Sequence, residues 1–155
     1  MTIDDIASAY EASTNEFLAA VRSISDEQLD RHVKDGWSPR QVVHHMADSE
    51  AQSYARLRRL VAEAPGTTIQ GYDEALWAEN DKLGYRELPI EHSLAVVVAV
   101  RTSSLDILRR LSIDDLSRTG THSESGPYSI QSWTEIYTAH ARDHAAQLLE
   151  AANAN

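Results

Sequence analysis

A chain of 155 residues without cysteine can form neither disulfides nor thiolate metal sites, so His, Asp and Glu make up its reactive inventory. Its net charge of −10 at pH 7 disfavours binding to nucleic acid and to anionic membranes. The longest apolar run, residues 94–100, is too short to cross a bilayer, and the acidic N-terminus lacks the basic region of a signal peptide. We therefore expect a cytoplasmic protein with one domain, residues 1–155.

Apolar residues at helical spacing predict four long helices, of which the first carries its apolar stripe from Ile3 to Val21. The second helix has a clear start in "GWSPRQ", where Ser38 can cap the helix and Pro39 fits the first helical position. This helix is predicted to end near Glu63, just before "APG".

The third helix is predicted from about Pro89 or Ile90 to Leu111, and the fourth from near Ser129 to about Ala151. Between the second and third, "GYDEALWAEND" indicates a short extra helix, while "THSESGPYS" before the fourth indicates a structured loop. No convincing strand pattern occurs. The sequence therefore predicts an all-α four-helix bundle, and its long connections between helices two and three and between three and four do not require strict up-and-down order.

Three histidines lie on inward faces of two predicted helices. In "HARDH", His140 and His144 continue the apolar stripe of helix four, and His45 lies on that of helix two, followed by the small residues Ser49 and Ser53. An isolated core histidine usually hydrogen-bonds to a carbonyl or carboxylate. Three imidazoles in one core each need partners for both ring nitrogens, and a divalent cation satisfies one nitrogen on every ring.

Helix geometry supports a metal site at these three residues. Residues four apart are separated by about one turn, so His140 and His144 can converge on an ion at roughly 2.0–2.1 Å, with His45 reaching it from another helix. Three nitrogen ligands leave a coordination position open, which is typical of a catalytic site. Zinc or nickel fits best, with iron or manganese as further choices. His44 lies about 100° around the helix and is expected at a flank or in solvent.

One common use of paired histidines is disfavoured by the sequence. "HARDH" has the spacing of two zinc-binding histidines, but Ala141 stands where a zincin metalloprotease has its general-base glutamate. Peptidase activity of that type is therefore not expected.

The segments "GWSPRQVVHHMADSE", "YDEALWAE", "PIEHSLAVVV", "SESG" and "HARDHAAQL" resemble, in this order, the DinB/YfiT-like superfamily, and most closely its YfiT-type branch. The resemblance spans about residues 36–148. It implies a four-helix bundle, commonly dimeric, with a divalent metal held by residues that match His45, His140 and His144. Two departures concern Asp143, where the family often has another histidine, and the loop "SESG", which usually reads Pro-Glu-Ser-Gly.

The resemblance implies two reactions on a small-molecule substrate. Members of this branch are described as metal-dependent hydrolases or as transferases that join a low-molecular-weight thiol, such as bacillithiol, to electrophiles; wider relatives use mycothiol or glutathione. Our first hypothesis is thiol S-transfer, in which the cation lowers the pKa of a thiol cosubstrate. The second is hydrolysis, in which the open position generates hydroxide from water. The third is a non-catalytic bundle that binds a metal, a partner or a small ligand.

Three further side chains are candidate catalytic residues. Asp48 could orient a ligand imidazole or accept a proton, or be an ordinary helix carboxylate. Arg101, on the inward stripe of helix three, could bind a carboxylate of the cosubstrate or reach solvent. Tyr137, one turn before His140, could supply a hydroxyl to the pocket or serve packing alone. The acidic surface and the family likeness also make a homodimer the expected assembly.

Overall fold

The computed structural model describes residues 1–154 and confirms the predicted four-helix bundle. In chain order the elements are α1 (Ile3–Ser23), α2 (Pro39–Ala62), β1 (Thr67–Ile69), α3 (Glu74–Glu79), α4 (Glu91–Leu108), β2 (Thr119–His122), β3 (Gly126–Ser129) and α5 (Ile130–Ala152). The four long helices of the prediction correspond to α1, α2, α4 and α5, and the short extra helix corresponds to α3. None of the described helices combines the length and hydropathy needed to span a membrane.

Local capping determines where α2 begins. The Ser38 hydroxyl accepts a hydrogen bond from the backbone N–H of Gln41, and the Gln41 side chain accepts one from the backbone N–H of Ser38. Pro39, which has no N–H to satisfy, occupies the first helical position. This reciprocal cap fixes the start of the helix and therefore the face on which His45 lies.

The bundle does not place consecutive helices side by side. Helix α1 packs against α5 and α4, and α2 packs against α4 and α5, so α1 and α2 lie diagonally across the core. The long connections on either side of α4 permit this order. As a result α2 and α5 are spatial neighbours, which is the arrangement that a site shared between them requires.

A small sheet joins the chain segments at the ends of the helices. Strand β1 pairs in parallel with β2, and β2 pairs with β3 in a hairpin. A Cβ at Gly120 would lie 2.6 Å from the Thr67 carbonyl oxygen, so only glycine permits this pairing. The sequence predicts a structured loop at 121–129 and no strands. That expectation was wrong because strands of three or four residues are too short to show a period of two.

A buried ion pair crosses the core between the helices. Arg101 of α4 donates to Glu50 of α2 over 2.6 Å, and neither side chain is exposed. The same guanidinium donates to the hydroxyls of Thr14 at 2.6 Å and Ser13 at 2.9 Å in α1, and to the Tyr137 carbonyl oxygen at 3.2 Å in α5. One side chain therefore contacts the other three long helices.

Candidate metal centre

Three imidazole nitrogens converge between α2 and α5. The Nε2 atom of His140 lies 3.2 Å from that of His45 and 3.0 Å from that of His144. Two nitrogens bound to one cation at about 2.0–2.1 Å, at angles of about 90–110°, are about 2.9–3.4 Å apart. The observed spacings therefore fit a shared ion, and these three side chains form a group that could hold one.

Hydrogen bonding alone does not account for this cluster. His144 Nδ1 lies 2.7 Å from Gln147 Oε1, an acceptor, so that nitrogen carries the proton and Nε2 presents a lone pair. His140 Nε2 faces two ring nitrogens but can direct one proton at only one of them. A cation that accepts all three lone pairs satisfies every contact at once.

Burial keeps these rings in the neutral form that binds metals. Desolvation, followed by the influence of His144, lowers the pKa of His45 to about 3. Desolvation and then the neighbouring imidazoles lower the pKa of His140 to about 2. Desolvation also lowers the pKa of His144, although its bond to Gln147 opposes this. At neutral pH each ring is uncharged, as a metal ligand must be.

Packing restrains the other sides of these rings. The Trp37 ring lies 4.9 Å from the His45 ring, and the Tyr137 ring meets that of His140 edge-on at 6.2 Å, measured between centroids. The Nδ1 atoms of His45 and His140 are buried and have no hydrogen-bond partner within residues 1–154. Gln147 is thus the described side chain that fixes a ligand ring by hydrogen bonding.

The structure places Asp48 and His44 away from the three imidazoles. Asp48 accepts a hydrogen bond from the Tyr85 hydroxyl at 2.5 Å, and it lines a separate cavity that also contains His44. His44 was expected at a flank or in solvent; it is buried, and its ring nitrogens lie 2.8 Å from Ser93 Oγ and 3.1 Å from the Leu88 carbonyl oxygen. Among the described residues Asp48 makes no hydrogen bond to the three imidazoles, as orienting a ligand imidazole would require. Its other expected role, accepting a proton, stays a prediction.

Arg101 also differs from both expectations of the sequence analysis. Its side chain points inward as predicted, but it is buried against Glu50 and neither reaches solvent nor lines the cavity beside the histidines. The partner was missed although Glu50 lies one turn after Met46 on the buried face of α2. In the described structure Arg101 therefore joins helices.

A cavity of about 140 Å³ adjoins the histidine cluster at His140. The residues that line it are Ser49, Arg56, Tyr72, Glu74, His122, Glu124, Ile136, Tyr137 and His140. Tyr137 is therefore in the pocket as predicted from its spacing. Its hydroxyl accepts a hydrogen bond from Arg56 Nη1 at 2.9 Å, and Arg56 Nη2 donates to the Gln70 carbonyl oxygen at 2.8 Å.

Three charged residues and one further histidine of this cavity were not among the candidate site residues predicted from the sequence. Arg56 lies eleven residues after His45, about three helical turns, so the helical period could have found it. Glu74 comes from the start of α3, while His122 and Glu124 come from the β-hairpin. Burial raises the pKa of Glu74, against the opposing effect of Arg56, and partial burial with Arg56 lowers that of His122.

Comparisons with known proteins agree with this architecture. The sequence model of the DinB superfamily matches residues 9–148. A protein of Oceanobacillus iheyensis is 40% identical over 129 residues, which cover 83% of this chain and 73% of that protein. One from Bacillus cereus is 33% identical over 147 residues, covering 94% and 83%. Both proteins carry names that describe them provisionally as metal-dependent hydrolases.

A solved structure shows the same fold. YfiT from Bacillus subtilis, described as "a probable metal-dependent hydrolase with an unusual four-helix bundle topology", superposes with a TM-score of 0.83 at 29% sequence identity. The match covers 96% of this chain and 84% of that protein. In this chain the diagonal placement of α1 and α2 is a departure from up-and-down order.

Proposed function

The chain belongs to the DinB superfamily, and on that premise we propose that it is a metal-dependent hydrolase. The observation that carries the proposal is the convergence of three Nε2 atoms, two of them 3.0 and 3.2 Å from the third. His45, His140 and His144 would hold the cation, which three imidazoles do not restrict to one element. Zinc or nickel is our proposal for its identity.

The cavity beside His140 would receive a small-molecule substrate. When bound, a divalent cation lowers the pKa of water and polarises a carbonyl oxygen, which is the chemistry that hydrolysis at neutral pH needs. Three imidazoles would hold the cation and would leave a coordination position for chemistry. Hydroxyl, carboxyl and guanidinium groups line the adjoining space.

The reaction that fits these groups is hydrolysis of an ester or amide. The oxygen of water bonds to the acyl carbon, the bond from that carbon to the leaving group breaks, and a water proton ends on the leaving group. Glu74 lines the cavity, and partial desolvation raises the pKa of this partly exposed carboxyl, so it is a stronger base than an ordinary glutamate. We assign Glu74 the transfer of this proton.

Thiol S-transfer is the second candidate. It was the first hypothesis from the sequence, but the names of the relatives and the description of YfiT favour hydrolysis. The two reactions share the metal ligands and differ in the nucleophile. They are therefore separated by whether turnover requires a thiol.

The proposal is tested by metal analysis and a reaction panel. Elemental analysis of the purified protein should find about one divalent ion per chain, and His144→Ala should lose it. The metal-loaded protein should then hydrolyse p-nitrophenyl acetate or simple amides without added thiol. His92→Ala is the matched control, because His92 is exposed and outside the cluster.

Three results would contradict hydrolysis. Absence of stoichiometric metal would favour the non-catalytic bundle. Turnover of electrophiles only when a thiol such as bacillithiol, mycothiol or glutathione is consumed would favour transfer. Equal turnover by the wild type and His144→Ala would show that the cluster is not the site.

A further inference from the structure

Tyr137 presents a hydroxyl with an unused proton to the cavity beside His140. Its side chain lies one turn before His140 on α5 and is 2% exposed. The hydroxyl oxygen accepts from Arg56 Nη1, and within residues 1–154 the hydroxyl donates to no protein acceptor. A phenol in this position can therefore donate to a group that enters the cavity.

Arg56 of the neighbouring helix α2 holds that hydroxyl in place. Its guanidinium donates to Tyr137 on one side and, over 2.8 Å, to the carbonyl oxygen of Gln70 on the other. Gln70 directly follows β1, so pairing of that strand with β2 fixes where the guanidinium is anchored. A cation donating to the phenol oxygen also makes the O–H a stronger donor, because it withdraws charge from that oxygen.

We propose that Tyr137 donates a hydrogen bond to the substrate's carbonyl oxygen as it gains negative charge, and that Arg56 is the residue that positions it. This inference rests on the proposed function and assigns acyl compounds, esters or amides, as the substrate class. Such a donor matters most when the planar carbonyl becomes tetrahedral, since the charge on oxygen is then largest. One donor of this kind changes kcat by about 10²–10³ in characterised enzymes.

Packing is the alternative role for Tyr137, and it makes a different prediction. The ring lies 5.1 Å from that of Trp133 and 6.2 Å from that of His140, so the side chain fills space between the core and the cluster. Phenylalanine preserves these ring contacts and removes only the hydroxyl. Tyr137→Phe therefore separates the two roles.

The test compares Tyr137→Phe with a matched control in the zinc-loaded protein. Tyr10→Phe removes another buried phenol hydroxyl, which belongs to α1 and does not line the cavity. With p-nitrophenyl acetate we expect Tyr137→Phe to lower kcat by about 10²–10³ with KM nearly unchanged. Tyr10→Phe should retain both values.

A binding measurement gives a readout that does not depend on turnover. Methylphosphonate mimics a tetrahedral oxyanion, and calorimetry should show that its affinity falls at least tenfold in Tyr137→Phe and is retained in Tyr10→Phe. Arg56→Lys keeps the charge but cannot make both hydrogen bonds, so its kcat should lie between those of the wild type and Tyr137→Phe. The metal content of all four proteins should be equal.

The proposal is overturned if Tyr137→Phe matches the wild type in kcat and in methylphosphonate affinity, or if it loses the metal. Failure of the proposed function is a separate result. A wild type that hydrolyses no ester or amide disproves hydrolysis, and the methylphosphonate arm then decides the role of Tyr137. The proposal for Tyr137 is also overturned if the wild type does not bind methylphosphonate.

Discussion

The Nε2 atoms of His45 and His140 lie 3.2 Å apart although 95 positions separate them in the sequence. The contact exists because α2 and α5 are neighbours in a bundle whose first two long helices are diagonal. At this distance two neutral imidazoles share at most one proton, and His144 Nε2 is 3.0 Å from the same His140 nitrogen. The bundle thus brings together three ring nitrogens whose lone pairs a single cation can accept.

Metal should stabilise the folded protein through these nitrogens. A ligand that binds only the native state raises the free energy of unfolding by about 2.7 kcal/mol when its free concentration is 100 times Kd. We expect Zn²⁺ to raise the Tm of the wild type and of His92→Ala, and to leave that of His45→Ala unchanged. Thermal unfolding with Zn²⁺ and with chelator measures this, and an equal rise in His45→Ala would argue against the site.

Gln147 should tune the affinity of the site. Its side-chain oxygen holds the Nδ1 proton of His144, which leaves the lone pair on Nε2 for the cation. Loss of such a supporting bond lowers metal affinity by about 10–100-fold. Gln147→Leu should therefore bind Zn²⁺ more weakly in a competition assay with a chelating dye. Gln131→Leu, which removes only an exposed bond to Glu135, is the control and should bind as the wild type does.

Much of this centre could be predicted because its signals are local. The cap at Ser38 and the helical period fix which face His45 occupies, and His140 and His144 lie four positions apart in α5. Each of these facts depends on positions within a few turns. The fold class and the three imidazoles therefore follow from the chain without knowledge of its long-range contacts.

The rest of the cavity depends on pairing between distant segments. Ile69 of β1 pairs with His122 of β2. Strands this short do not show the alternation of apolar and polar residues that predicts a strand. Local sequence patterns therefore do not predict that His122 and Glu124 line the cavity. Arg101 illustrates the same limit, since its inward direction was predictable whereas its partner Glu50 depends on how α2 and α4 pack.

The Glu50–Arg101 pair should be costly to break singly. Removing one partner of a buried ion pair leaves an uncompensated charge and typically costs about 3–5 kcal/mol, while replacing both partners costs much less. Arg101→Met should lower the free energy of unfolding in urea by about that amount, and Glu50→Leu combined with Arg101→Met should recover most of it. Arg109→Met breaks a half-exposed pair with Glu11 and should cost less than about 1 kcal/mol. Additive costs in the double variant would show that the two side chains are not coupled.

Glu74→Gln should lower the activity of the protein and raise its stability at neutral pH. Burial is the largest cause that raises its pKa above the ordinary value of 4.5. A general base works when ionised, so kcat/KM of the wild type should fall as the pH decreases through this raised pKa. Glu74→Gln should lack this pH dependence and lose about 10²–10⁴-fold in rate.

For the stability of the folded protein the sign is reversed, because a carboxyl whose pKa is raised on folding favours the folded state at low pH. It loses that contribution as the pH rises through the folded pKa. Glu74→Gln should therefore have the higher Tm at pH 7. Glu79→Gln, at the exposed end of α3, should change neither property. An unchanged pH profile in Glu74→Gln would remove Glu74 from the proton transfer, whatever its effect on Tm.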